Sequence, residues 1–373
     1  MIPYGKQCID ENDIRAVVEV LKSDWLTTGP MVQVFEDGVL NLVGSRYAVA
    51  VCNGTAALHC AMYAIGVGPG DEVILPPMTF AATANAVIYQ GGTPIFSDVE
   101  EDTLLIDPEK IEKKITSKTK AIIAVDYAGQ PCDYQRLQKL AKKHNLILIA
   151  DGCHALGAEY NGKRVGSIAD LTVFSFHPVK HITTGEGGMI TTDNEIYANR
   201  MRQFRNHGIT SDFRTREKEA TFLYEMTDIG YNYRLSDIHS ALGVSQLQKL
   251  PFFIKKRREI AHRYQDAFFD SSVIQSLKVN PDSRHAWHLY VIKLVERDRT
   301  VIFRKLREKG IGVNVHYLPV YRHPYYEEKF NSSDNRCEAV ERVYEKLLSL
   351  PIFPSMTDDM VSTVIREVLC ACE

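Results

Sequence analysis

The sequence predicts an α/β fold: a mixed, mostly parallel sheet covered by helices, followed by a smaller C-terminal α+β domain. Two observations carry that expectation. Between residues 48 and 192, short apolar runs without polar alternation recur between longer segments of helical period, the pattern of strands buried on both faces by crossover helices. After Pro251 the texture changes to a basic amphipathic helix and shorter mixed elements. A chain of 373 residues also suits two domains at roughly 150 residues each, here placed at 1–250 and 251–373.

Taken in order, the strand candidates are 48–52, 72–75, 121–125, 146–150, 171–174 and 189–191. Between them the spacing predicts helices over 55–65, 80–89 and 134–144. Beyond Pro251, residues 253–269 form an amphipathic connector, with Ile254, Ile260, Ala261, Tyr264 and Phe268 on one stripe. Strands over 287–295 and 312–315 follow, with helices over 300–309, 334–348 and 357–369. An open parallel sheet of this kind places ligands at the carboxyl ends of its strands.

Composition excludes several classes. Hydrophobic residues make up 45% and charged residues 24%, close to a soluble globular average. With 47 acidic and 44 basic residues the formal net charge is −3, which provides no general field for nucleic acid or anionic lipid. The segment 1–10 lacks the features of a signal peptide, and no apolar run reaches membrane-spanning length. The expectation is a cytoplasmic protein without nucleic-acid or membrane partners. Eight scattered cysteines form no CxxC pair and no zinc-like Cys/His spacing, so reduced thiols and no metal are expected.

Three stretches carry chemistry. In VFSFHPVKHITTGEGGM a strand candidate runs into Lys180, surrounded by hydroxyls and glycines; a desolvated lysine amine becomes a nucleophile near neutral pH. In LILIADGCH five apolar residues end in Asp151, a carboxylate that needs a cationic partner or a metal to offset its desolvation, unless it serves as a helix N-cap before Ala155. Asn53-Gly54-Thr55-Ala56-Ala57 joins a strand to a helix, and a helix opening of small residues offers free N–H groups to a phosphate. Neither a P-loop lysine nor GxGxxG spacing is present there, which disfavours ATPases and nicotinamide enzymes. A lysine for a Schiff base, an acid for a ring nitrogen and a phosphate site including Ser175 together point to pyridoxal 5′-phosphate.

With these residues in view, the sequence resembles the DegT/DnrJ/EryC1/StrS sugar aminotransferases, which have the type I fold of pyridoxal-phosphate-dependent transferases. The likeness runs from Ile2-Pro3-Tyr4 through Trp25-Leu26-Thr27-Thr28-Gly29-Pro30, the three stretches above and Gly230-Tyr231-Asn232-Tyr233-Arg234 to Leu350-Pro351. The resemblance implies a catalytic Lys180 carrying the cofactor, with Ser175, Thr55 and Ala56 at its phosphate. It also implies Asp151 at the ring nitrogen, His154 beside the ring, Phe80 stacked on the outer face, and Asn232 reaching the cofactor of a neighbouring subunit in a homodimer. Arg234 is left open between a ligand for carboxylate or phosphate and an ion pair, and His177 and His181 have no assigned role. The turn Gly185-Glu186-Gly187-Gly188 is expected to be structural.

A narrower likeness, to the family's pseudaminic-acid-pathway transaminases, rests on FHPVKHITT, DYAGQP and VHYLPVY. It departs where His181 stands, a position at which the family most often has proline. It implies amino transfer from L-glutamate to the 4-keto carbon of a UDP-4-keto-6-deoxy-N-acetylhexosamine. Tyr4, Leu26, Thr27, Thr28, Gly29, Asn232, Val313, Asn314, Val315 and His316 would hold the sugar nucleotide. Other nucleotide-linked keto sugars (dTDP- or GDP-linked, at the 3- or 4-position) and a non-catalytic cofactor-binding regulator remain the alternatives.

Overall fold

In the computed structural model, residues 1–211, 213–330 and 336–373 are described, the side chains of 213–215 excepted. Two amphipathic helices, α1 (Glu11–Leu21) and α2 (Pro30–Val43), precede the first strand, β1 (Tyr47–Val51). Strands and helices then alternate through α3 (Gly54–Ala64), β2 (Glu72–Leu75), α4 (Ala82–Tyr89), β3 (Thr93–Phe96), α5 (Pro108–Glu112), β4 (Thr119–Val125), α6 (Tyr134–His144) and β5 (Ile147–Asp151). A short hairpin, β6 (Glu159–Tyr160) with β7 (Lys163–Arg164), leads to β8 (Leu171–Ser175), β9 (Gly188–Thr192), α7 (Glu195–Phe204), α8 (Phe213–Lys218) and α9 (Asp237–Phe268). The remainder holds β10 (Ile274–Ser276), β11 (Ser283–Arg284), β12 (Tyr290–Leu294), α10 (Arg299–Glu308), α11 (Pro324–Phe330), α12 (Glu338–Val343), β13 (Leu347–Leu350) and α13 (Asp358–Cys372).

The main sheet has seven strands in the order β1-β9-β8-β5-β4-β2-β3, and β9 alone runs against the others. Its central strands are apolar on both faces, because α3, α4 and α6 cover them; Ile122, Ile123, Ile149 and Val173 are fully buried. This is why the runs read as continuous rather than alternating. A second, antiparallel sheet, β10-β12-β13, packs on α9, α10 and α13 around Tyr264, Ile292, Leu306 and Val364.

Several elements depart from the sequence expectation. The connector helix begins at Asp237, sixteen residues before the expected 253, and carries Pro251 in its interior. Leu250, Phe253 and Ile254 pack into a core with Phe35 and Val39 of α2, and that packing outweighs the proline's missing N–H. Residues 312–315 form no strand of their own; Ile311 and Asn314 make single bridges to Ile2 and Ser349. The helix expected over 334–348 is only Glu338–Val343, followed by a 3₁₀ turn and β13, and positions 334 and 335 lie outside the described residues. Phe80 lies in the loop before α4.

Candidate active site

The sheet's register decides where the chemistry gathers. Val125 at the end of β4 pairs with Asp151 at the end of β5, and Asp151 pairs with Val173 of β8, two residues before Ser175. These carboxyl ends, the start of α3 and the segment 314–317 enclose a cavity of about 630 Å³. Its walls include Tyr4, Thr55, Phe80, Asp151, His154, Ser175, Lys180, Asn314, Val315 and His316, ten of the residues expected to form the site. They come from segments more than 300 positions apart.

Asp151 is buried, and its carboxylate is oriented from two sides. The Thr83 hydroxyl donates to Oδ2 at 2.7 Å and the Cys153 N–H to Oδ1 at 3.3 Å. Thr79 stands 2.7 Å behind Thr83, hydroxyl to hydroxyl. Sequence reading missed this pair, although PPMTFAAT holds both threonines four positions apart, one helical turn.

At the other end of the cavity, Asn53 caps α3. Its Oδ1 accepts the Ala56 N–H at 2.8 Å and its carbonyl accepts the Ala57 N–H at 3.1 Å. The first four N–H groups of a helix have no partner within it, so Gly54 and Thr55 present the open donors, while that of Ala56 is engaged. Gly54 leaves little room for a side chain: a Cβ there would stand 3.0 Å from Ser175 Cβ and 3.2 Å from its Oγ. The Ser175 hydroxyl therefore sits directly against the helix opening, and this cradle fits the phosphate of pyridoxal phosphate. Together with a strand-end carboxylate and a cavity-lining lysine, it matches what that cofactor requires.

Among the described residues, Lys180 is the sole lysine or arginine on the cavity wall. Burial lowers the pKa of its amine, with a further lowering from Arg257, against the opposing charges of Cys153 and Asp151. Beside it, His154 Nε2 lies 3.0 Å from the Tyr317 hydroxyl. Burial holds His154 well below the ordinary histidine range and His316 down to about 3, so both imidazoles are neutral. His316 Nδ1 lies 2.9 Å from Ser349 Oγ, and its ring is 5.3 Å from that of Tyr4. Phe80 stands at the mouth, its ring 6.0 Å from Tyr317. Tyr317, His288, Cys153 and Glu186 also line the cavity and were not picked out from the sequence. The turn before β9 thus contributes the Glu186 side chain to the site rather than serving as a connector alone.

The remaining expected residues lie elsewhere. Ala56 and Val313 are buried in core packing. Asn232 is exposed and bridges Asn206 through the backbone, outside the cavity. Leu26 and Thr27 lie in the loop leading to α2, tied to the start of α9 by the Asp237 N–H and a bridge to Ser236. Thr28 and Gly29 line a second cavity, of about 480 Å³, with Arg202, Arg205 and Arg234; Arg234 donates to Asn206 Oδ1 at 2.7 Å. His177 is exposed at the main cavity, and His181 is buried behind it. No cluster of metal-binding side chains occurs among the described residues.

The chain is similar to known proteins over nearly its whole length. The DegT/DnrJ/EryC1/StrS aminotransferase family matches residues 7–369. The spore coat polysaccharide biosynthesis protein SpsC of Bacillus subtilis is 42% identical over 373 residues, covering 98% of this chain and 96% of its own. Among solved structures, Helicobacter pylori PseC, an aminotransferase involved in the biosynthesis of pseudoaminic acid, superposes with a TM-score of 0.93 at 36% identity, over 99% of this chain and 98% of PseC. The sugar aminotransferase CalS13 of Micromonospora echinospora gives 0.90 at 28% identity, over 99% of each chain. The chain therefore belongs to the DegT/DnrJ/EryC1/StrS aminotransferase family and is a sugar aminotransferase that depends on pyridoxal phosphate.

Proposed function

We propose that this enzyme transfers the amino group of L-glutamate to the 4-keto carbon of a UDP-linked 4-keto-6-deoxy-N-acetylhexosamine, the step that serves pseudaminic acid synthesis. The observation that carries the reading is the convergence of Lys180, Asp151 and the α3 opening on one cavity whose far wall is Tyr4, Asn314, Val315 and His316. Likeness to PseC supports the substrate. Likeness to SpsC, at higher identity, favours a second reading in which another nucleotide-linked keto sugar is the acceptor.

The roles follow from placement. Pyridoxal phosphate, when bound, supplies an electron sink that stabilises negative charge at the donor's α-carbon. Lys180 would be the residue that holds the cofactor covalently between turnovers. Its amine, freed when the donor's amine replaces it and with its pKa lowered by desolvation, would take the α-proton from glutamate and, in the second half-reaction, give a proton to the sugar carbon. Asp151, oriented by Thr83 and the Cys153 N–H, would keep the ring nitrogen protonated. Gly54, Thr55 and Ser175 would hold the phosphate, and His154 and Phe80 would flank the ring. Glutamate leaves as 2-oxoglutarate, and the sugar keeps the nitrogen.

A UDP-sugar brings a pyrophosphate with about two negative charges, while among the described residues the main cavity's wall has no lysine or arginine other than Lys180. This charge deficit supports a homodimer in which Asn232, Arg234 and the residue 26–29 loop complete the neighbour's site. The exposed apolar stretch with Phe222, Leu223, Met226 and Ile229 supports the same arrangement. Within each chain, residues 1–250 would carry the cofactor and 251–373 would form the smaller domain. Eight cysteines without a disulfide support work in the reducing cytoplasm, and no helix among the described residues is long and apolar enough to cross a membrane.

The test is turnover with glutamate and a panel of UDP-, dTDP- and GDP-linked 3- and 4-keto sugars. Amination of the UDP-4-keto-6-deoxy-N-acetyl sugar is expected to dominate, with Tyr4→Ala and His316→Ala raising the sugar's KM and leaving that of glutamate unchanged. Preferential turnover of a dTDP-3-keto sugar would replace this substrate by the second reading.

A further inference from the structure

Along one wall of the cavity and behind it stand three histidines, of which the proposed reaction uses only His154. His154, His288 and His181 stand in a row, with ring centroids 4.3 Å apart between the first two and 5.6 Å apart between the last two. All three are at least nine-tenths buried: His154 is 6%, His288 4% and His181 2% exposed. Each has a buried Nδ1 without a hydrogen-bond partner. Of the eleven buried side-chain polar atoms without a partner among the described residues, three lie on these adjacent rings, and each calls for an explanation such as an internal water.

One end of the row fixes its tautomer, and the other end admits the complementary one. His181 Nε2 lies 3.1 Å from the Ala286 carbonyl. A carbonyl only accepts, so Nε2 carries the hydrogen and Nδ1 of the neutral ring is an acceptor. At the other end, the Tyr317 hydroxyl stands 3.0 Å from His154 Nε2. If the hydroxyl donates there, the neutral His154 ring carries its hydrogen on Nδ1 and offers a donor. Burial pulls the pKa of all three rings well below the ordinary histidine value, so each keeps one donor and one acceptor.

We propose that one internal water closes this row, accepting from His154 Nδ1–H and donating to Nδ1 of both His288 and His181, and that His288 and His181 thereby act as positioning residues for His154. Three hydrogen bonds are the usual complement of a buried water. The result is a directional chain from the Tyr317 hydroxyl to the Ala286 carbonyl that fixes the orientation of the His154 ring. Because His154 and His288 both line the main cavity, the consequence for function rests on the reading of that cavity as the cofactor site.

Two measurements on the full-length protein need no turnover. A crystal structure that resolves ordered water is expected to show one within hydrogen-bond reach of the three Nδ1 atoms. Ring nitrogen NMR of the cofactor-free protein is expected to show His154 with its proton on Nδ1 and His181 with its proton on Nε2. For the cofactor, His181→Phe is expected to weaken pyridoxal phosphate binding about tenfold by orphaning the chain. His181→Asn, whose side-chain oxygen can take the place of Nδ1, should restore binding to within about threefold of the original, and His288→Asn should behave likewise. Absence of the water, the opposite tautomers, or unchanged binding in His181→Phe would overturn the proposal. If His181→Phe fails to fold, the density and the tautomers of the unaltered protein decide the matter. Failure of the unaltered protein to bind pyridoxal phosphate would instead sink the site reading, and it would leave the water and the tautomers to be judged on their own.

Discussion

Asp151 illustrates what a single residue needs from its surroundings. A carboxylate at the end of a buried strand is not oriented by its strand; the Thr83 hydroxyl, 2.7 Å from Oδ2, does that. Thr83→Val keeps the shape and removes the donor. We expect kcat to fall about tenfold with little change in the KM of glutamate, measured in steady state; an unchanged kcat would remove Thr83 from the site's support. Lys180→Ala should lower turnover by at least about a thousandfold. Borohydride treatment of the unaltered holoenzyme should fix the cofactor on Lys180, and recovery of the label on another lysine would displace that assignment.

At the scale of elements, the N-terminus of α2 is held by a residue far away in sequence. Asp237, fully buried in the first turn of α9, accepts the Gly29 N–H at 2.7 Å and the Met31 N–H at 2.8 Å. One carboxylate thus caps α2 and joins it to α9. Asp237→Ala should destabilise the fold by about 1–3 kcal/mol, read from denaturant unfolding, and a loss below about 0.5 kcal/mol would mean that water replaces the cap. Other elements show why local patterns mislead. β3 is a four-residue strand containing Pro94, tolerated because β3 lies at the sheet's edge. The α9 helix passes through Pro251 because both of its flanks are packed against α2 and the strands beneath.

The whole molecule carries its buried histidines as a pH liability. His285 and His316 are held at about 3 by burial, against an ordinary value of 6.5. Between those values the unfolded chain binds more protons than the folded one, so stability falls as pH drops below 6.5. Each histidine adds a slope of about 1.4 kcal/mol per pH unit. Unfolding followed from pH about 7 to about 5 should show this, and His285→Phe should flatten the slope by about one histidine's share; an unaltered slope would mean that His285 is protonated in the fold. The proposed shared site makes a second prediction at this scale. Mixed dimers of Lys180→Ala and Asn232→Ala chains should regain activity, because one of the two composite sites is then intact. No recovery after complete subunit exchange would confine Asn232 to its own chain.

The parallel-sheet architecture was legible in the sequence because burial on both faces leaves an unbroken apolar signature, and β2 and α6 fall where the residues alone put them. Lys180, Asp151 and the Asn53-Gly54-Thr55 turn stand out in the sequence as polar groups at the ends of apolar runs, and the fold gathers them at one cavity. The tertiary structure decided what depends on distant segments meeting. Register set Asp151 beside Val125 and Val173, and the 314–317 segment brought Tyr317 to His154. Packing carried α9 past its proline, and Asn232 was placed outside the cavity that holds Lys180. Such contacts are set by the summed packing of the whole core, and no short stretch of sequence contains that sum.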